Sequence, residues 1–328
     1  MEPVREEAVV IGISGPSSSG KTTLARLLQR VFYGVNLKPN DRPLNTFIIH
    51  EDDFYFPDDQ IPYTTTRSGA RIQDWDTASA IDIPFLSQAL NYVREEGSLP
   101  PRLRSKEDQN DQTSSGVSEE LVQELRDVVC SRLLDETGER NEKTIAFLEG
   151  FLLFAPPLSG SEKEEHVLRS VHDAINLHLF LPAAYELVKA RREGRSGYVT
   201  VGAAPEPPEQ TGDEGCGKTR TEVDLHAEDD RPPQNFWVDP PGYVDDVVWP
   251  RYVADHAWLL VAEDEDEGKK GSQDLGEADL VRRVGDGTKA RTDVGVEVAP
   301  GCGSAGMDVI LRWAVDLILG YYLSRTSV

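Results

Sequence analysis

The residues with the plainest chemical meaning run from Gly15 to Thr23, Gly-Pro-Ser-Ser-Ser-Gly-Lys-Thr-Thr. A glycine, four residues and then Gly-Lys-Thr is the spacing of a phosphate-binding loop. Glycines let the backbone curl until successive N–H groups point inward, and a following helix adds the positive end of its dipole. In such a loop Gly15, Ser17, Ser18, Ser19, Gly20 and Thr23 surround the phosphates of ATP. Lys21 reaches the terminal phosphates, and the Thr22 hydroxyl ligates the bridging magnesium.

Four further sites carry ionisable or aromatic groups. Glu51-Asp52-Asp53-Phe54-Tyr55-Phe56 follows an apolar run at 46–50. Acids at the carboxyl end of such a strand lie where open α/β sheets bind ligands, and one carboxylate there takes a proton from a substrate hydroxyl or holds magnesium. Asp is also a favoured helix N-cap, so both readings stay open. Glu149 interrupts the apolar stretch 144–154 and is the candidate for water-mediated magnesium binding, with a surface turn as the alternative. Trp75-Asp76 suits a flat ring and a ribose diol, or equally a core tryptophan before a capped helix. Lys189, Arg191, Arg192 and Arg195 form the main basic cluster of the chain; they either close over transferring phosphates or cover a solvated helix face.

The elements that must position these groups follow from periodicity. Residues 9–13 form a buried strand that breaks at Gly15, and Leu24, Leu27, Leu28 and Val31 recur at helical spacing behind the loop. That order, strand, glycine-rich turn and helix, is the context the loop needs. Further buried strands are expected at 46–50, 144–154, 175–181 and 258–261, and helices at 77–96, 118–134, 249–256 and 310–321. This predicts an α/β fold with a five-stranded parallel sheet flanked by helices, in one domain. His256 reads as a packed or capping residue. Polar insertions are expected at 94–119, 202–235 and 262–305. One of them hides a second formal match, Gly212-Asp-Glu-Gly-Cys-Gly217-Lys218-Thr219. No apolar strand precedes it, no helical run follows, and Asp213 and Glu214 would repel phosphate, so it is a chance match.

Composition narrows the function classes. The 328 residues carry a formal charge of −24, from 34 basic and 58 acidic side chains, which argues against broad attraction to nucleic acid or anionic membrane. Cys130, Cys216 and Cys302 have neither disulfide-framework nor zinc spacing, which fits a reducing compartment. The start of the chain leads directly into the first strand, and no apolar run is long enough for a bilayer. The expectation is a soluble, cytoplasmic protein, with the nucleus also compatible.

Taken together, the motifs at 12–23, 50–55, 72–76, 148–154, 195–198 and 236–243 resemble the nicotinamide riboside kinases of the fungal kind, within the uridine-kinase-like phosphate-loop kinases. The Trp-Asp pair and Phe236-Trp-Val-Asp-Pro-Pro-Gly-Tyr243 are the most specific of these. The resemblance implies transfer of the ATP γ-phosphate to the 5′-hydroxyl of nicotinamide riboside. Under it Asp53 is the general base and, with Thr22 and Glu149, a magnesium-site residue. Trp75 and Tyr198 sandwich the nicotinamide ring, while Asp76 and Arg192 hold the ribose hydroxyls. Phe54, Tyr55 and Phe56 continue the substrate wall, and Asp239 lies near the ring. Arg191 and Arg195 act as lid arginines on ATP, and Asp286-Gly287-Thr288 resembles the adenine-side loop. The implied partners are ATP, Mg2+ and a small nucleoside, in a monomer. The alternatives are a uridine- or cytidine-type kinase and a non-catalytic nucleotide-binding protein.

Overall fold

Ala8–Ser14 (β1) is buried at every position, as an unbroken apolar run requires of a strand covered on both faces. The computed structural model describes residues 7–36, 43–103, 105, 114–134, 143–158, 166–200, 202–203, 225, 235–261 and 276–324. After β1 come Lys21–Phe32 (α1) and Asn45–His50 (β2), then a tight helical turn at Glu51–Phe54 and a small hairpin of Tyr63–Thr65 (β3) and Arg71–Gln73 (β4). Ile83–Glu96 (α2) begins where the Asp82 carboxylate accepts the Phe85 N–H and ends at Gly97, whose φ of 66° closes the helix. Glu119–Leu134 (α3), Thr144–Gly150 (β5), Arg169–Ala174 (α4), Leu177–Phe180 (β6) and the basic Tyr185–Glu193 (α5) follow. Tyr198–Thr200 (β7) and Asn235–Trp237 (β8) pair as an antiparallel hairpin. A π-helical turn at Val244–Val248 runs into Trp249–Asp255 (α6), and Glu277–Val284 (α7), Glu297–Val298 (β9) and Met307–Ser324 (α8) complete the described elements.

The five parallel strands lie in the order β2-β5-β1-β6-β9. Side chains alternate across β1. Val9, Ile11 and Ile13 join the core beneath α1, α3 and α8, while Ala8 and Val10 join the one beneath α2, α4 and α6. The parallel register carries the ends of β1, β5, β6 and β2 to one edge, so Gly15, Phe151, Leu181 and Glu51 begin the following segments side by side. That edge is where such sheets bind ligands. No helix among the described residues is long and apolar enough to cross a membrane.

The fifth strand is not the one expected at 258–261. Leu259, Leu260 and Val261 are buried, but Leu259 and Leu260 both donate to the His256 carbonyl and continue the turn out of α6, with one isolated bridge from Leu260 to Ala290. An apolar run satisfied by helix packing has the same composition as a short strand, and periodicity over four residues does not separate them. The sheet is completed instead by β9, against Leu179 and Phe180. Residues 276–305, read as part of a polar insertion, therefore carry α7, β9 and a glycine-rich loop into α8. Most of 202–235, including the second Gly-Lys-Thr match at 212–219, lies outside the described residues, as do 104, 106–113 and 262–275.

Candidate active site

The loop after β1 curls as its glycines permit. Gly15 has φ 151° and Gly20 φ 102°, and a side chain on Gly15 would collide with the Leu181 carbonyl oxygen. Gly20 starts α1, which directs the helix dipole into the curl. The loop encloses one end of a cavity of about 670 Å³, lined there by Ser17 through Thr23. The Ser18 and Ser19 hydroxyls are buried with no hydrogen-bond partner, and Lys21 donates to the Pro16 carbonyl oxygen at 2.9 Å. Burial lowers the Lys21 ammonium from its ordinary value, against the pull of Glu149, Asp52 and Glu51. Orphaned hydroxyls, a helix N-terminus and a desolvated cation fit a phosphate chain.

Glu149 sits at the same end. Its Oε1 accepts the Thr22 hydroxyl at 3.0 Å and faces His50 Nδ1 at 2.7 Å. Burial works to raise this carboxyl, but the hydrogen bond and charge of His50, Lys21 and Thr22 prevail and hold it below its ordinary value. Thr22 and Glu149 are thus brought together as expected for a hard-cation site of oxygen ligands.

The turn at Glu51–Phe54 changes the assignment of the third acid. A tight helix advances three residues per turn, so positions three apart share a direction. Asp52 and Tyr55 line the cavity, whereas Glu51 and Phe54 both turn into the protein. Asp53 is buried and is not part of the lining; Phe54 packs against Phe85 at 4.9 Å between ring centroids, and Phe56 packs on the cluster around Tyr243. The acid presented to the cavity is Asp52, not Asp53. Glu51 sits under the end of β5, its Oε2 accepting the N–H groups of Phe151 at 2.6 Å and Leu152 at 3.1 Å. Burial pushes its carboxyl up to about 7, against those two bonds and Lys21.

The opposite end of the cavity is aromatic. Tyr55, Trp75, Tyr198 and Trp237 all line it. Trp75 meets Tyr55 edge-on at 5.3 Å and Trp237 at 5.7 Å, and the hairpin register sets Tyr198 opposite Trp237. Beside these rings Arg192 forms a buried ion triad. It binds both oxygens of Asp76, at 2.8 and 3.0 Å, and its Nε donates to Asp239 at 2.7 Å. Burial raises the Asp76 carboxyl, against the pull of Arg192; Arg192 itself, though burial opposes its charge, is held above its ordinary value by Asp76, Tyr198 and Asp239. Two carboxylates share the Arg192 guanidinium, so the triad itself carries one formal negative charge, while Arg195 brings a second guanidinium over the Tyr198 ring. Asp239 acts from behind the wall, also accepting the Trp237 indole N–H at 2.9 Å.

The basic helix α5 spans the two ends. Arg191 donates to the Ser18 carbonyl at 3.1 Å, and Arg195 lies over the Tyr198 ring at 5.2 Å; both line the cavity, as the lid reading requires of them. The loop Asp286-Gly287-Thr288 does not line it. The Asp286 carbonyl accepts the Tyr185 N–H, and the Gly287 carbonyl accepts the Tyr252 hydroxyl, so this loop braces α5 and α6. In its place Leu181, Pro182, Ala183, Gly303, Ala305 and Met307 form an apolar slot on the α1–α8 side, with Ser114 and Ser115 at its margin. Asp52 and Trp237 lie within the quoted motifs, but sequence reading singled out neither for a role and did not show this slot. Trp237 had a signal, its place in the motif at 236–243; the slot had none, because Leu181 and Met307 look like ordinary core.

No protein-family model matches the chain. It is 28% identical over 255 residues to the nicotinamide riboside kinase of Schizosaccharomyces pombe, covering 78% of this chain and 82% of that protein. It is 27% identical over 257 residues to the nicotinamide riboside kinase of Saccharomyces cerevisiae, covering 78% and 80%. Human nicotinamide riboside kinase 2 matches at 27% over 200 residues, 61% of each chain. The resemblance read from the motifs thus extends over 78% of the chain.

Proposed function

We propose that this chain is an ATP-dependent kinase that phosphorylates the 5′-hydroxyl of nicotinamide riboside, forming the mononucleotide in NAD biosynthesis. The observation that carries the substrate is the nucleoside end of the cavity. Four aromatic side chains stand beside a buried Asp76–Arg192–Asp239 triad of net negative charge. Electron-rich ring faces with an excess carboxylate attract a flat cation, which the pyridinium of nicotinamide riboside is and a pyrimidine is not. The likeness to kinases named for this substrate supports the same reading.

The remaining residues supply positioning and charge, which is most of what phosphoryl transfer needs. Lys21 and the N–H groups of residues 17–22 hold the β- and γ-phosphates, and the apolar slot beside Leu181 and Met307 takes the adenine. Magnesium, when bound, neutralises charge on the phosphate oxygens; Thr22, Glu149 and Asp52 are the oxygen donors that would hold it. Asp76 and Arg192 orient the ribose diol, and Asp52 accepts the 5′-hydroxyl proton as the oxygen attacks the γ-phosphorus. Arg191 and Arg195 stabilise the charge spread over the transferring group.

The test is ADP release with magnesium and ATP, offered nicotinamide riboside, nicotinic acid riboside, uridine and cytidine separately, with the product's mass checked. Turnover on the pyridine ribosides and little on the pyrimidines is the expected result. Preference for uridine or cytidine would overturn the substrate, and silence on all four with ATP still bound would overturn the activity.

A further inference from the structure

His50 belongs to neither end of the cavity, yet it is 2% exposed and spends a ring nitrogen on the site. In the parallel register of β2 and β5 it lies directly beside Glu149. An ionised carboxylate only accepts, so the Nδ1 of His50 carries the proton and donates to Glu149 Oε1 at 2.7 Å. The same oxygen accepts the Thr22 hydroxyl at 3.0 Å from the other side. A planar carboxylate pinned on one oxygen from two directions cannot turn about its last torsion, so its second oxygen is fixed as well. Thr22 and Glu149 line the cavity and His50 does not, so His50 reaches no substrate directly.

We propose that His50 is a positioning residue for the phosphoryl-transfer site, acting through Glu149 to set the oxygen donors that face the magnesium–nucleotide complex. This rests on the kinase reading of the cavity. Its physical basis is that a neighbour donating to a metal-facing group fixes that group's orientation and strengthens its hold on the ion. Lys21 supplies charge to Glu149 but donates to the Pro16 carbonyl, so the directional constraint falls to His50 and Thr22.

The experiment compares His50→Asn with His50→Gln in the full chain. Asn places its amide N–H at the position of Nδ1; Gln places it at the position of Nε2. Calorimetric binding of ADP is measured with and without magnesium, so no turnover is needed, and the KM for nicotinamide riboside is read beside it. The expected result is that Gln lowers magnesium-dependent ADP affinity by about tenfold while Asn stays within about threefold of the parent. Affinity for ADP without magnesium, and the nucleoside KM, are expected to hold in both. Equal behaviour of Asn and Gln, or equal losses with and without magnesium, would overturn the proposal and reduce His50 to packing. If the parent fails to phosphorylate nicotinamide riboside while the Asn–Gln difference in metal-dependent binding persists, the substrate reading falls and this one stands.

Discussion

At its proposed phosphate end the cavity is built mainly from one stretch of chain, Ser17 to Thr23, with Glu149 bonded to Thr22 beside it. At its proposed nucleoside end it is built from Tyr55, Trp75, Asp76, Arg192, Tyr198 and Trp237, side chains from loops, α5 and the β7–β8 hairpin, far apart in sequence. The first end needs glycine torsions and a helix start, which are local. The second needs the sheet, α5 and the β7–β8 hairpin all in place before any of its groups meet. A backbone site tolerates change around it; a side-chain site assembled from distant loops carries the specificity and is the more easily lost.

The contrast is broken most severely at the acid between the two ends. Asp52→Asn is expected to lower kcat by about 10²–10⁴, the usual worth of a general base, while ATP binding persists. Asp53→Asn should leave most activity, and a reversed order in steady-state assays would return the base to Asp53. At the nucleoside end, Arg192→Met strands two buried carboxylates. Chemical denaturation should show a loss of about 3–5 kcal/mol, and a variant as stable as the parent would show the triad to be weakly coupled.

A control lies behind the phosphate loop, where His256 shares a small cleft with Pro16 and Ser17 and is not part of the main cavity lining. Burial depresses its imidazole to about 4 from an ordinary 6.5. The folded state therefore refuses a proton that the unfolded chain takes. Stability is fully present above pH 6.5 and is lost as pH falls toward 4, by roughly 3 kcal/mol. Denaturation at pH 7 and at pH 4 should show that difference shrinking in His256→Gln, and an unchanged pH slope would show that the group is not the cause. The smallest effect sharpens the comparison: Trp237→Leu should cost about tenfold in kcat/KM for the nucleoside and leave the KM for ATP alone. Equal losses on both substrates would mean that the aromatic end is not separable from the phosphate end.

The same division explains what could be read in advance. The loop at 15–23 and four of the five parallel strands were legible because each is written in consecutive residues with a distinct pattern, and Glu149 was placed with its strand. Trp75, Asp76, Arg192 and Tyr198 could be named from motif likeness, but not their mutual contacts. Choosing between Asp52 and Asp53 required the direction of a tight helical turn, which composition does not encode. The true fifth strand, Glu297–Val298, is too short for any periodicity, while the helical turn at 258–261 copied a strand's composition. The apolar slot, proposed to take the adenine, gathers Leu181, Ala183, Ala305 and Met307 from loops and the start of α8, whose proximity only the sheet order reveals.

The aromatic end of the cavity is proposed to select a flat cation. The direct measurement is kcat/KM for nicotinamide riboside against its dihydro form, which has nearly the same shape and ribose but a neutral ring. A desolvated cation–aromatic contact beside an excess carboxylate predicts a preference of at least about tenfold for the charged ring. Equal rates on the two would contradict the claim, leaving shape alone to explain the site.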